Sequence, residues 1–370
     1  MKVSSSDGGS GWGEAIVPKR ASAVEGAIAD MAGNIVGADA DRIEDLWQRM
    51  HRDSFYRGGP VLGAAAAAIE IGLWDIKARR LGVAIHELLG GRVRDRVRSY
   101  AWVGGDQPSD VVGHVQQRVD QGFTAVKMNA TAALDYLEAF SQVDATLARV
   151  ASIRETFGPD LGIALDFHGR VHKSMARVLL RELEQYHPMW IEEAAAPETD
   201  ENFVELRRAA GSIPLATGER NYSRWQFIRL LEQRAVDVVQ PDVSITGLWE
   251  LVKICHLAEA YDVAVAPHCP NGPISLAASL QVDFCNGSVV IQEQSGGLHY
   301  NEGYAGLPSG ELLDYSPAPG VIAPVDGGFA YAAHPGIGID IDEAVVRERA
   351  HAWRLSDPNW RYTDGRLAEW

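Results

Sequence analysis

The spacing of apolar and polar positions changes once along the chain, near residue 97. Before that point residues 39–92 have helical spacing. Leu62, Ala66, Ile69, Leu73 and Ile76 recur at three- and four-residue intervals and predict a helix over 62–80. Asp39 or Asp41 is placed to cap an earlier helix, Gly82 ends the long one, and residues 86–91 give one further turn and a stop. After residue 97, short apolar runs recur at 99–103, 125–128, 163–167, 189–191, 214–216, 236–240, 263–267 and 289–292, each followed by a longer amphipathic stretch. Strands alternating with helical stretches make parallel βαβ units, and eight of them close into a TIM-type (β/α) barrel of the α/β class. The tail from about residue 307 is rich in Gly and Pro, turns helical near 342–353, and is expected to pack back on the N-terminal helices.

Composition narrows what such a fold does. The 370 residues are 46% hydrophobic, enough to fill a barrel of about 250 residues and a second unit. A formal charge of −16 with no basic run argues against nucleic-acid or membrane-surface partners. Cys255, Cys269 and Cys285 have no CxxC spacing and form no disulfide framework, which points to a reducing cytoplasm. The N-terminus lacks the apolar stretch of a signal peptide, and the alanine run at 64–68 meets Glu70 and Asp75 too soon to span a membrane.

In an eight-stranded α/β barrel the C-terminal strand ends face the active site. The runs end on Lys127 and Asn129, Asp166 and His168, Glu192, Glu219, Asp242, His268 and Glu293. From Asp166 to Glu293 the intervals are 26, 27, 23, 26 and 25 residues, one barrel unit each. Asp166, Glu192 and Glu219 are successive carboxylates, and an all-oxygen set with open positions suits Mg²⁺ better than Zn²⁺. Alternation along its strand turns Glu193 away from them. Among the remaining histidines only His299 lies close to Glu293, and none is given a role.

The segments Asp166-Phe167-His168-Gly169-Arg170, Trp190-Ile191-Glu192-Glu193, Thr217-Gly218-Glu219-Arg220, Gln240-Pro241-Asp242, Pro267-His268-Cys269-Pro270 and Gln292-Glu293-Gln294 resemble the barrel motifs of the mandelate-racemase branch of the enolase superfamily. The loop Phe55-Tyr56-Arg57-Gly58-Gly59-Pro60 and the ending Ala368-Glu369-Trp370 extend the likeness along the chain. That resemblance implies a modified (β/α)7β barrel over 96–306 and an α+β capping domain built from 1–95 and a C-terminal segment over 307–370. It implies Mg²⁺-dependent dehydration of an aldonate, galactonate first, to a 2-keto-3-deoxy acid. His268, backed by Asp242, would take the C2 proton, and His168 would protonate the departing 3-hydroxyl. Lys127 would contact the substrate carboxylate and Asn129 a hydroxyl. Glu293 would donate to a carboxylate oxygen once its pKa has risen, and Tyr56 and Arg57 would add contacts from the cap. A homo-oligomer is expected on the likeness alone.

Some features depart from the pattern. Racemases and epimerases of this kind have Lys-x-Lys where this chain has Lys127-Met128-Asn129, which favours elimination over epimerisation. Ala194-Ala195-Ala196 precedes Pro197 where a proline is usual, and the loop 243–249 differs after Asp242. Gly11-Trp12-Gly13-Glu14 is reached so early that the cap is expected to lack a first strand and a lid loop. An epimerase or another acid-sugar lyase therefore stays open, as does a non-catalytic homologue that binds Mg²⁺ and a sugar acid.

Overall fold

The structure, a computed structural model, describes residues 1–104, 111–294, 315–318, 322–348, 350 and 360–369. It opens with strands β1 (Lys2–Ser4) and β2 (Ser10–Trp12), paired antiparallel, then helices α1 (Ala21–Ile35), α2 (Ile43–Arg52), α3 (Pro60–Leu81) and α4 (Ile85–Leu88). The expectation of a cap without an opening strand is corrected to this extent: Lys2–Ser4 forms a strand ahead of β2. Residues 5–9 between the two strands make a tight turn, closed by Ser5 N donating to Gly9 O at 2.9 Å, and not a lid.

Helix α1 has no counterpart in the predicted pattern. Its sequence is rich in alanine and glycine with a few larger apolar residues, so its buried stripe of Val24, Ala27 and Met31 has little amplitude to read. Helix α3 forms as expected. Pro60 occupies its first turn, where a missing N–H costs nothing, and Gly82 (φ 71°) closes it in the left-handed region that glycine enters freely. Helix α2 follows Arg42, with no side-chain cap. Of the two residues expected to cap it, Asp39 accepts from Asp41 N at 3.0 Å and Asp41 pairs with Arg80.

The barrel strands are β3 (Arg96–Trp102), β4 (Ala125–Asn129), β5 (Gly162–Asp166), β6 (Trp190–Glu192), β7 (Leu215–Thr217), β8 (Val238–Val239), β9 (Ala264–Val265) and β10 (Gln292–Gln294). They pair in parallel in the order β10-β3-β4-β5-β6-β7-β8-β9. The ring closes between β9 and β10 through the bridge of Val265 with Val289 and a 2.9 Å bond from Val290 N to Val265 O. Helices α5 (Val112–Asp120), α6 (Phe140–Phe157), α7 (Lys173–Leu183), α8 (Asn202–Ala209), α9 (Arg224–Glu232), the short α10 (Val243–Thr246) with α11 (Leu248–Ala260), and α12 (Pro273–Cys285) fill the crossovers. No barrel helix follows β10 among the described residues, which is the modified (β/α)7β form.

Period-two alternation sorts the strand residues. Val126, Met128, Ile163, Leu165, Ile191 and Val239 face the helices, while Tyr100, Ala125, Ala164, Trp190, Ala216, Val238, Ala266 and Ile291 fill the interior. Above that apolar plug the next inward positions are Lys127, Asp166, Glu192, Gln240, His268 and Glu293. The small Ala side chains at the plug leave room for the large Tyr100 and Trp190, whose rings meet edge to face at 5.5 Å.

The tail divides its contacts. Strand β11 (Gly328–Ala330) pairs antiparallel with the start of β3, Arg79 of α3 donates to Asp340 at 2.8 Å, and Glu343 on α13 (Glu343–Glu348) accepts from Lys2 at 2.6 Å. Trp360 and Tyr362 instead reach the barrel top, beside Arg170 and Leu134. His299 and residues 351–353 lie outside the described residues. No helix among the described residues is long and apolar enough to cross a membrane.

Cap and barrel are joined through Glu70. This buried carboxylate on α3 accepts from Leu248 N (2.8 Å), Trp249 N (2.9 Å) and Trp74 Nε1 (2.7 Å), satisfying amides at the start of α11. Burial raises its pKa to about 7 against the three bonds that favour the anion. A carboxyl whose folded pKa exceeds its unfolded value of 4.5 contributes stability that is complete below that value and lost as pH rises through 7. We predict that wild type loses on the order of 2 kcal/mol between pH 5 and pH 8 that Glu70→Gln does not lose. Denaturant midpoints of both proteins at the two pH values check this; parallel losses would contradict it.

Candidate metal centre and active site

Asp166 is the last residue of β5, Glu192 the last of β6, and Glu219 follows β7 by two residues, after Gly218 at φ 129°. Each offers an oxygen, and the three oxygens lie within 4.8 Å of one another. Asp166 and Glu192 are buried and Glu219 nearly so. Glu192 is held from both sides: Lys127 Nζ donates to Oε1 at 2.5 Å, while Gln240 Nε2 (2.7 Å) and Trp190 Nε1 (3.0 Å) donate to Oε2. By contrast, Asp166 Oδ2 and Glu219 Oε2 are buried with no aligned hydrogen bond. Burial first, then the neighbouring Asp166, raises Glu192; burial and Glu193 raise Glu219 well above the usual range. Converging buried carboxylates with unsatisfied oxygens fit a divalent cation, and an all-oxygen set fits Mg²⁺.

Lys127 sits beneath this cluster. Its ammonium, wholly buried, donates to Glu192 and lies 2.9 Å from Glu293 Oε1 and 3.8 Å from Asp166 Oδ2. Burial opposes that charge, but Glu192 and Glu293 outweigh it and hold the pKa well above the ordinary lysine value. The donors of Lys127 are directed at the protein's own carboxylates. Glu293 departs from expectation. It accepts from Trp102 Nε1 (2.6 Å) and Cys269 N (3.0 Å), and although burial pushes its pKa up, Lys127 and His268 bring it down to about 2. In this arrangement it accepts from both neighbours.

Two imidazoles flank the carboxylates. His268 Nδ1 is 2.8 Å from Asp242 Oδ2, and its Nε2 is 3.5 Å from Glu219 Oε2 and 3.8 Å from Glu293 Oε2. Burial disfavours its charge, yet Glu219, Glu293 and Asp242 together raise it to about 10. His168 Nε2 lies 3.0 Å from Asp166 Oδ2, and Arg170 Nη2 is 2.8 Å from its Nδ1. A guanidinium only donates, so Nδ1 is the acceptor and the ring proton sits on Nε2. Burial and then Arg170 bring this imidazole down to about 3. His168 lies past the end of β5 at φ 49°, where a left-handed turn folds the ring back toward Asp166.

Asn129 ends β4 in register with Asp166. Tyr56 and Arg57 are not brought to the cluster. They are exposed on the loop before α3 and line a cleft of about 550 Å³ with α1, α2 and Tyr222. Glu193 does turn from the triad as expected, toward Arg220, though through a left-handed residue (φ 44°) and not by strand alternation. The sequence reading gave no role to Trp102 or Gln240. Gln240 was legible as an inward position two residues before Asp242. Trp102 ends the first barrel strand, whose charged residues Arg96 and Arg98 lie at its start and not at its active-site end.

A barrel with a buried carboxylate triad at the C-terminal ends of its strands, flanked by two histidines, defines a metal-dependent barrel enzyme. Residues 110–345 match the enolase C-terminal domain-like family, and residues 1–90 match the mandelate racemase/muconate lactonizing enzyme N-terminal domain. The chain is similar to D-galactonate dehydratase of Ralstonia pickettii, at 48% identity over all of this chain and 96% of that protein. It is also similar to D-galactonate dehydratase of Xanthomonas oryzae pv. oryzae, at 46% over 100% and 96%. Among solved structures, an enolase from Agrobacterium radiobacter with bound Na and L-malate has a TM-score of 0.87 at 29% identity, covering 100% of this chain and 94% of that one. A member of the enolase superfamily from Salmonella Typhimurium has a TM-score of 0.84 at 27% identity, covering 94% and 93%. The chain belongs to the enolase superfamily.

Two substitutions test the metal centre by calorimetric titration with Mg²⁺. Gln240→Leu, which removes one partner of Glu192, should weaken binding by about 10–100-fold, and Glu219→Gln should weaken it further while far-ultraviolet circular dichroism stays unchanged. Undiminished affinity in Glu219→Gln would remove Glu219 from the metal set.

Proposed function

We propose that this chain dehydrates an aldonate, D-galactonate first, to a 2-keto-3-deoxy acid. The observation that carries this is the placement of one imidazole on each side of the triad, His168 against Asp166 and His268 against Glu219. They follow β5 and β9, four strands apart in the ring, so they approach a substrate from opposite walls. The names of the relatives from Ralstonia and Xanthomonas support the choice of sugar acid.

Asp166, Glu192 and Glu219 would hold Mg²⁺, which would supply positive charge against the substrate carboxylate as C2 becomes carbanionic. The protein's own groups move the protons. Asp242 fixes Nδ1 of His268 and leaves Nε2 facing inward as the base for the C2 proton. When a cation balances Glu219, the ring keeps only Glu293 and Asp242 as negative neighbours, which loosens its hold on a proton. On the opposite wall His168, its Nδ1 held by Arg170, is placed beside the departing 3-hydroxyl; to serve as its acid the ring must first take up a second proton at Nδ1 as Arg170 moves away, so that giving up Nε2–H leaves a neutral imidazole. Asn129, beside Asp166, is placed for a substrate hydroxyl, and Tyr56 and Arg57 would contact substrate only if their loop moved toward the barrel. Asn129 in place of a second lysine base supports elimination over epimerisation. We place the enzyme in the cytoplasm as a homo-oligomer that binds neither nucleic acid nor membrane, a reading supported by its −16 charge and its free thiols at Cys255, Cys269 and Cys285.

The test is a panel of acid sugars with Mg²⁺, assayed for 2-keto-3-deoxy products, followed by exchange in deuterated water. We expect galactonate to be dehydrated. His168→Asn should retain C2-proton exchange without product, whereas His268→Asn should lose both, each by about 10²–10⁴-fold. Exchange that survives loss of His268 but not of His168 would reverse the two roles. Inversion at C2 without loss of water would replace the dehydratase with an epimerase.

A further inference from the structure

We propose that Glu14, delivered by the cap, is a positioning residue for the His268–Asp242 pair. The inference rests on His268 being the base, as proposed above, but the geometry that carries it does not involve substrate or metal.

The segment Gly11-Trp12-Gly13-Glu14 lies directly on α3. A Cβ at Gly11 would clash with the Gly72 carbonyl and one at Gly13 with the Ala68 carbonyl, so glycine at both positions is what lets the strand approach the helix. Trp12 N donates to Asp75 Oδ2 at 3.0 Å, which fixes the strand along the helix. The chain therefore leaves β2 with Glu14 aimed at the barrel. There its carboxylate accepts from Gly272 N through Oε1 at 3.0 Å and from Ser275 N through Oε2 at 2.8 Å. Gly272 is the N-cap of α12 and Ser275 lies in its first turn, so a carboxylate from the cap satisfies two amides that a helix start leaves open. The fit is close, because a Cβ on Gly272 would collide with the carboxylate of Glu14.

The same short segment carries the base. His268 Nδ1 meets Asp242, Cys269 N donates to Glu293 Oε2 at 3.0 Å, and Asn271 Nδ2 donates to Asp242 Oδ2 at 2.8 Å and to Ser244 Oγ at 3.1 Å. Gly272, next in the chain, is held by Glu14. His268 and Asn271 converge on one oxygen of Asp242, so the position of the segment sets how that oxygen is shared. Barrel residues hold residues 268–271; the amide of Gly272 is held by the cap, while its carbonyl accepts from Leu276 N at 3.1 Å within α12. The cap thereby fixes the downstream end of the segment that aims His268 Nε2 at the site.

Glu14→Gln puts an amide where two N–H groups expect acceptors, and Gly272→Ala displaces the carboxylate from the barrel side. Displacement of a catalytic group by about 1 Å costs on the order of 10²-fold. We expect each variant to lower kcat by about that factor with KM little changed, and the double variant to fall no further than either one. Mg²⁺ affinity, measured by calorimetry, should match wild type because the triad is untouched. A second readout needs neither substrate nor metal: the downfield proton resonance of His268 Nδ1–H against Asp242, assigned by its absence in His268→Asn, should shift or broaden in both variants. If no acid sugar is turned over by wild type, this resonance still tests the positioning while the proposed function fails separately. An unchanged resonance in both variants would overturn the proposal, as would additive losses in the double variant or a parallel loss of Mg²⁺ binding, which would assign Glu14 to the fold as a whole.

Discussion

Lys127 is enclosed within the barrel, its ammonium between Glu192 and Glu293 with Asp166 at 3.8 Å. Removing a charge from water is expensive unless partners surround it, so this ammonium and its carboxylates form as a group or not at all. Their formation demands that β4, β5, β6 and β10 hold their register, since a slip of one residue would turn Lys127 outward among the helices. Tyr100 lies below the ammonium and Trp102 beside it, with Lys127 Nζ 5.4 Å and 4.8 Å from their ring centres. A single lysine does not balance the charge. Asp166, Glu192, Glu219 and Glu293 face one ammonium, and His268 adds a second positive group only when protonated. The excess negative charge lies on the open side, where Asp166 Oδ2 and Glu219 Oε2 lack aligned donors. The barrel is thus built to be incomplete without a divalent cation.

The cap is attached to this centre through buried carboxylates and not through apolar contact alone. Glu70 reaches the start of α11, and Glu14 the start of α12. Both helices lie beside strands that carry the His268–Asp242 pair. On the outer side, Trp47 of α2 stacks with His51 at 4.7 Å, and His51 with Trp225 of α9 at 5.4 Å, a ladder of rings across the boundary. Directional bonds of this kind fix orientation as well as proximity, which a shared apolar surface does less well. The anionic substrate of the proposed reaction then meets a surface of net charge −16, so its attraction must come from the metal centre and not from a broad field.

The barrel was legible because its signal is periodic twice over. Apolar runs mark the strands, and ionisable residues at intervals near 25 mark their ends, so Asp166, Glu192 and Glu219 could be named together before any geometry. The cap was less legible. Helix α1 buries only Val24, Ala27 and Met31 among many small residues, and a strand as short as Lys2–Ser4 gives no alternation to count. Roles were harder than positions. That Lys127 is also the countercharge of the buried carboxylates was not legible, because sequence shows that a residue faces inward but not how deep it lies. The direction of the Glu293 shift was missed for the same reason: it depends on Lys127 being within 2.9 Å.

The placement of His168 adds a constraint that no spacing rule contains. His168 and Glu193 end successive strand turns, and both take left-handed backbone angles, φ 49° and 44°, at a cost that non-glycine residues incur only where surroundings enforce it. Each turn braces the other. Gly169 N donates to Glu193 O at 3.0 Å, Arg220 Nη2 donates to His168 O at 3.0 Å, and Arg220 Nε donates to the Glu193 carboxylate at 2.8 Å. An extended residue at 168 would continue β5 and carry the imidazole away from the mouth. The left-handed turn instead folds it back until Nε2 meets Asp166. Arg220 follows the ligand Glu219 directly, so the same turn that presents the third carboxylate also supports the histidine on the opposite side of the cluster. The Glu219 carboxylate and the His168 imidazole are therefore linked through the backbone of three neighbouring βα turns, and a change that relaxes one of those left-handed residues would disturb both.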